Sequence, residues 1–191
     1  SPADLGKSKW ILNTEKKLSK KGFDISRKFP SGSILFTCIG STIGKSGIAS
    51  KALTSNQQIN AVLPKDKYDS EHIYYSLQLI SQKIKAEAGE QAVPMVNKTE
   101  FAKFQIPLPP TLTEQKAIAR VLTDTDALIQ ALEKKIAKKE LIKKGVMQKL
   151  LTPKEGWEEK SLGEVGEGII GLTYSPNDVR KNGTLVLRSS N

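Results

Sequence analysis

Gly40-Ser41-Thr42-Ile43-Gly44-Lys45-Ser46 is the stretch whose residue types point most directly to chemistry. A glycine-rich turn ending in Gly-Lys-Ser after an apolar run can cradle phosphates with its backbone N–H groups. The spacing argues against that use. A phosphate loop places four residues between its glycines, whereas three separate Gly40 from Gly44, and Ile39 stands where the wider spacing would need the first glycine. Such a loop also opens an amphipathic helix, and Gly47 to Leu53 offers no helical face. Nucleotide hydrolysis is therefore disfavoured. Two readings of the turn remain. It presents Ser41, Thr42 and Lys45 to a nucleic-acid backbone or groove, since hydroxyls and lysines are common phosphate partners, or it is a plain hairpin turn with an exposed lysine.

Asn56, Gln57 and Gln58 suit reading better than catalysis. Their amides pair a donor with an acceptor, which matches the major-groove edge of adenine, but amides at the entrance of a strand also satisfy local backbone groups. Arg27, Lys28 and Lys51 are candidate phosphate anchors. His72 is the one histidine, beside Glu71 near a helix start, and is read as structural because no serine or cysteine is arranged to use it. No metal-ligand spacing occurs, nor an Asn-Pro-Pro-Tyr or Asp-Pro-Pro-Tyr motif of the kind an amino-methyltransferase places against its target base. The sequence shows no catalytic centre.

Composition points to a polyanionic partner. Thirty Lys and Arg against 20 Asp and Glu leave a formal charge of +10 over 191 residues, and nucleic acid is the first candidate. A membrane is not expected, because no apolar run approaches the ~20 residues of a spanning helix. Cys38 is the single cysteine, which excludes an intrachain disulfide and a thiolate metal cluster and suits a cytoplasmic protein.

These residues need elements to position them, and the dominant one is a helix over 112–151. Pro107, Pro109 and Pro110 forbid helix before it, and Thr111 with Glu114 has the spacing of a capping box. Ile118, Val121, Leu122, Leu128, Ile129, Leu132, Ile136, Ile142, Val146, Met147 and Leu150 recur at steps of three and four. Lys139 and Glu140 interrupt the stripe, and Gly145 costs roughly 1 kcal/mol relative to Ala, so a loose antiparallel helix pair is expected rather than a parallel zipper. At 1.5 Å per residue the helix would be about 60 Å long, which reads as a spacer. Seven lysines from Lys134 to Lys149 crowd its second half, as a solvated face suited to a helix C-terminus or as a surface for phosphate or an acidic partner.

Before this helix, residues 1–33 read as short strands and loops. Strands are expected at Ser33–Ile39, Ile48–Leu53 and Ile59–Leu63, a helix from Ser70 to about Ala88 with Ile73, Leu77, Ile80 and Ile84 on one face, and one helical turn within Thr99–Phe104. After it, Thr152-Pro153 and Gly156 break the pattern, and a unit too short for its own core runs from Trp157 to a strand-like Thr184-Leu185-Val186-Leu187. The fold class is α+β: one small mixed domain plus one long helix.

The chain resembles the specificity subunit (HsdS) of type I restriction-modification systems. The resemblance is carried by Thr37–Lys45, Ser55–Asn60, Val93–Phe101, Ile106-Pro107-Leu108-Pro109-Pro110, Glu114–Ala119, Met147–Thr152 and Trp157 with Leu162-Gly163. It implies that residues 1–110 are the later part of a target recognition domain, 111–152 a spacer and dimerisation helix pairing antiparallel with a second copy, and 153–191 the opening part of a recognition domain. The chain thus resembles a permuted or fragmentary half subunit, with residues 184–190 expected in the same small domain as residues 2–6, closed within one chain or by exchange between two. By the same resemblance the protein is not an enzyme and binds no cofactor. It would read half of a split double-stranded DNA target as a homodimer and direct a modification subunit (HsdM), which uses S-adenosylmethionine, and a restriction subunit (HsdR), which uses ATP and Mg. The alternative is a dimerising helical scaffold without sequence-specific DNA binding.

Overall fold

Four short strands, six α-helices and a 3-10 helix (Pro2–Asp4) carry the computed structural model, which describes residues 1–89, 93–171, 173, 175, 177, 179–180 and 182–187. The strands are β1 (Trp10–Ile11), β2 (Ile34–Thr37), β3 (Ser46–Ala49) and β4 (Ile59–Val62). The helices are α1 (Lys20–Asp24), α2 (Ser70–Leu79), α3 (Ser81–Glu87), α4 (Lys98–Phe101), α5 (Leu112–Leu151) and α6 (Leu162–Val165). The chain divides into two compact units, Ser1–Ile136 and Ala137–Asn191, with the division falling inside α5.

In the first unit the sheet order is β1-β3-β2-β4, with β1 parallel to β3 and the other pairs antiparallel. β2 is central, and its four residues are all buried. Their alternation divides the core by the period of two that a pleated strand imposes. Ile34 and Phe36 join Ile48, Ile73, Leu77, Ile84 and Phe101 in the layer under the helices, while Leu35 joins Leu5, Ile11, Phe29 and Ile59 on the other face. Phe36 stacks on Phe101 with ring centroids 5.3 Å apart, which ties α4 to the sheet.

β1 approaches β3 closely because Gly47 has no side chain: a Cβ there would stand 2.8 Å from Ile11 Cγ1 and 3.3 Å from Leu5 Cδ2. Gly47→Ala is expected to destabilise the protein by about 1–3 kcal/mol through overpacking, read as a lower urea midpoint with an unchanged m-value.

Three expectations need correction. The helix over 70–88 is two helices, because the backbone departs from helical geometry at Ile80 (φ −92°, ψ 3°) although the apolar spacing runs through it. The strand expected at 48–53 starts earlier and ends at Ala49, where the chain turns away. Thr184–Leu187 forms no strand: Leu185 and Leu187 are 95% and 99% exposed, and a β-prone run with no partner ladder does not become a strand. Residues 188–190 of the expected domain closure lie outside the described residues.

Candidate nucleic-acid interface

The turn between β2 and β3 is held by its own backbone. Gly40 and Gly44 adopt φ of +84° and +101°, values open to glycine, and Ile43 is buried beneath the turn. Ile43 N–H donates to Gly40 O (3.2 Å), Gly44 N–H to Thr37 O (3.2 Å), Lys45 N–H to Thr42 O (3.2 Å), and Gly40 N–H to Pro94 O (2.8 Å). Four of the turn's N–H groups, those of Gly40, Ile43, Gly44 and Lys45, are thus turned to carbonyls within the protein, and a strand follows instead of a helix. Ser41 and Lys45 are exposed and Thr42 is half-buried.

Asn56, Gln57 and Gln58 come to the same end of the sheet. Thr37 pairs with Ile59 in register, and Cys38 N–H donates to Gln58 O at 2.8 Å, which sets the amide segment beside the 40–45 turn. Cys38 is buried there, and burial pushes its thiol up to about 11, so it stays protonated and unreactive. The local, structural reading of the amides is realised in two of the three residues. Asn56 Nδ2 donates to Gln58 Oε1 (2.8 Å) and Gln58 N–H to Asn56 Oδ1 (3.3 Å), so these two satisfy each other. Gln57 is exposed and has no hydrogen-bond partner among the described residues.

Arg27, Lys28 and Lys51 do not join this cluster. Phe29 bridges to Leu53 at another part of the sheet, and Lys28 lies 3.7 Å from Asp24 Oδ1 and over the Phe23 ring. Arg27 and Lys28 rim a cavity of about 670 Å³ along β4, walled by Val62, Tyr68, Phe101 and Phe104. Lys51 is exposed beyond β3.

The structure adds a polar joint where α5 leaves the body. Gln115 is 1% exposed. Its Oε1 accepts from Asp69 N–H (2.9 Å), and its Nε2 donates to Pro109 O (3.1 Å) and, at 3.5 Å, to Lys67 O. His72 Nε2 reaches Pro107 O at 3.1 Å, so the histidine is structural, as its neighbours suggested. Two turns further along α5, Thr123 Oγ1 accepts from Lys9 Nζ (2.6 Å) and lies 2.9 Å from Glu71 Oε2, while Lys9 also pairs with Glu71. Tyr75 OH donates to Asp126 Oδ2 at 2.7 Å, and burial first, then that carboxylate, hold the phenol up to about 12 and protonated. The joint was missed from the sequence, although Gln115, Ala119, Thr123 and Asp126 repeat at steps of four, four and three as a second, hydrogen-bonding stripe.

The apolar stripe of α5 is exposed in the single chain. Ile118 and Leu122 are each 38% exposed, and Val121, Leu128, Leu132, Ile136, Ile142 and Met147 between 48% and 65%. No helix among the described residues is long and apolar enough to cross a membrane.

The family model for the type I restriction modification DNA specificity domain matches residues 3–143, which contain the turn, the amide segment, the joint and most of α5. The chain belongs to that family. It is 39% identical over 127 residues to the type I restriction enzyme MjaVIII specificity subunit of Methanocaldococcus jannaschii, covering 65% of this chain and 28% of the relative. It is 37% identical over 147 residues to the putative MjaX specificity subunit of the same organism, covering 71% and 34%. The HindI specificity subunit of Haemophilus influenzae is 32% identical over 111 residues, covering 56% and 24%. The chain thus spans between about a quarter and a third of these relatives. A solved structure described as the basis of complex assembly and conformational transition of the type I R-M system superposes with a TM-score of 0.57 at 21% identity, over 66% of this chain and 31% of that one, and supports the fold. The small mixed domain and the long helix expected from the resemblance are both present in the fold.

Proposed function

We propose that this chain is a DNA-reading specificity component of a type I restriction-modification complex, in which the end of the sheet carrying the 40–45 turn and the 56–58 segment meets one half of a split duplex target. The observation that carries the reading is the convergence of exposed Lys45 and Ser41 with unpaired Gln57 at one sheet end, in a chain of formal charge +10. Cation and hydroxyl would hold the phosphates, and the free amide would read a base edge. Arg27, Lys28 and Lys51 fall outside that contact surface.

The exposed stripe of α5 supports a homodimer in which two copies pair their helices antiparallel, so that a two-fold axis relates two half-sites. In this reading the chain is not an enzyme, holds no cofactor of its own and acts in the cytoplasm. Methyl transfer from S-adenosylmethionine belongs to a modification subunit, and ATP- and Mg-dependent cleavage to a restriction subunit.

Duplex selection followed by binding at several salt concentrations tests this. Lys45→Ala is expected to weaken binding to all duplexes by about 3–10-fold and to lower the salt slope by about one, whereas Gln57→Ala should relax preference at one position by about 1–3 kcal/mol. Selection that enriches no sequence would favour a dimerising scaffold without readout.

A further inference from the structure

The polar joint ties three elements that are far apart in sequence. Lys9 precedes the edge strand β1, Glu71 and Tyr75 stand one turn apart on α2, and Thr123 and Asp126 occupy the same face of α5. Thr123 sits at its centre. Its oxygen accepts from Lys9, and its single hydrogen is shared between Glu71 Oε2 (2.9 Å) and the Ala119 carbonyl (2.8 Å), with the Tyr75 hydroxyl 3.3 Å away. Lys9 also lies over the Tyr75 ring, 5.3 Å from its centroid. The Lys9 and Glu71 side chains are 13% and 31% exposed, so their charged ends lean on each other and on the Thr123 oxygen for part of the solvation they have lost.

Such a cluster is more than one helix needs in order to adhere. Apolar packing leaves a helix able to rock and slide on its seat, whereas charge-assisted hydrogen bonds fix distance and direction. Gln115 supplies a second anchor two turns earlier, about 12 Å along the axis. One anchor permits a pivot. Two fix the axis and rotation of α5, as far as Ile136, against the sheet. From Thr123 to Ile136 is about 20 Å of helix, so a swing of about 10° at the joint carries Ile136 sideways by about 3.5 Å, close to the 3.4 Å rise of one base step.

We infer that the Lys9–Glu71–Thr123 cluster, with Tyr75 and Asp126 at its edge, is the device that sets the spacing between the two half-sites this protein accepts. Thr123 is a positioning residue: it touches no DNA, and it acts by holding the recognition body at one angle to the helix through which two copies pair. The inference rests on the function proposed above.

The test is a series of duplexes carrying two half-sites separated by increasing numbers of base pairs, alongside a duplex with one half-site, using the full chain. Thr123→Val keeps the side-chain volume and removes the hydroxyl. It should bind the single half-site within twofold of wild type, but its advantage at the preferred spacing over spacings one base pair shorter or longer should fall about tenfold. Thr123→Ser should restore the sharp profile. Tyr75→Phe, at the edge of the cluster, should broaden it less and guards against a misfolded first variant. An unchanged spacing profile in folded Thr123→Val, or a wild type that binds half-sites with no preferred spacing, overturns the inference and leaves half-site reading intact. A wild type that prefers no half-site sequence overturns that reading and the inference with it.

Discussion

If two copies pair through α5 as proposed, a chain carrying Leu128→Glu and Leu132→Glu is expected to sediment as a monomer at concentrations where the unaltered chain dimerises, with a dissociation constant raised at least 10³-fold. The two leucines are 59% and 50% exposed in the single chain, so the replacements disturb no internal packing, and the helical signal in far-UV circular dichroism should be unchanged. In a paired helix both positions would face apolar side chains of the second copy. Each carboxylate would be buried there without a partner, at a cost of several kcal/mol per ion, and a symmetric dimer would bury four. A tenfold change in affinity corresponds to about 1.4 kcal/mol, so 10³-fold is a lower bound. The monomer should still bind one half-site duplex while losing the added affinity of a split-site duplex. A variant dimer as tight as wild type would place the interface elsewhere.

The helix was legible in the sequence because its signals are local. Three prolines and a Thr111 cap fix its start, confirmed by Glu114 N–H donating to Thr111 Oγ1 at 3.2 Å, and the breaker pair Thr152-Pro153 fixes its end. β2 and β4 were legible for a similar reason: short β-rich runs closed by glycine or proline. Where pairing partners decide, the signal fades. β1 is two residues held by a parallel ladder to β3, and nothing in Trp10-Ile11 alone announces it. Thr184–Leu187 shows the converse, with strand-forming residues and no ladder to join among the described residues.

Within the candidate site, the clustering of the turn and the amide segment followed from two segments that flank paired strands. Which amide is free did not, since Asn56 and Gln58 are equivalent to Gln57 by type and are excluded only by their mutual hydrogen bonds. Arg27 and Lys28 were grouped with the site by charge alone, and charge carries no direction. The joint escaped because the apolar stripe of α5 is the stronger periodic signal, and a glutamine at the start of a helix reads as solvated until its three partners are seen.

Those three partners make Gln115→Ala the most damaging single change expected at the base of the helix. Asp69 N–H would lose its acceptor, and the carbonyls of Pro109 and Lys67 a donor, in part-buried hydrogen bonds around a side chain that is itself 1% exposed. A fully buried group left unpaired costs about 1–3 kcal/mol; these three are part-buried and sit at or below the low end, and with the cavity left by the lost volume the total is about 2–4 kcal/mol. Domains of this size have roughly 5–15 kcal/mol in all. Asp69 is also the N-cap of α2, accepting from His72 N–H at 2.9 Å, so the loss at one residue loosens the start of α2 together with the seat of α5. Hydrogen exchange should report this as faster exchange confined first to 69–73 and 112–119, with β2 and β3 protected until global unfolding. Gln115→Glu separates shape from donor chemistry: it keeps the acceptor for Asp69 N–H, removes the donor to both carbonyls and buries a charge, so it should be as unstable as Gln115→Ala at pH 7 and recover part of the difference at pH 4, where protonation returns one donor. Equal stability of wild type and Gln115→Ala in urea would mean that the hydrogen bonds of Gln115 contribute nothing to the helix seat.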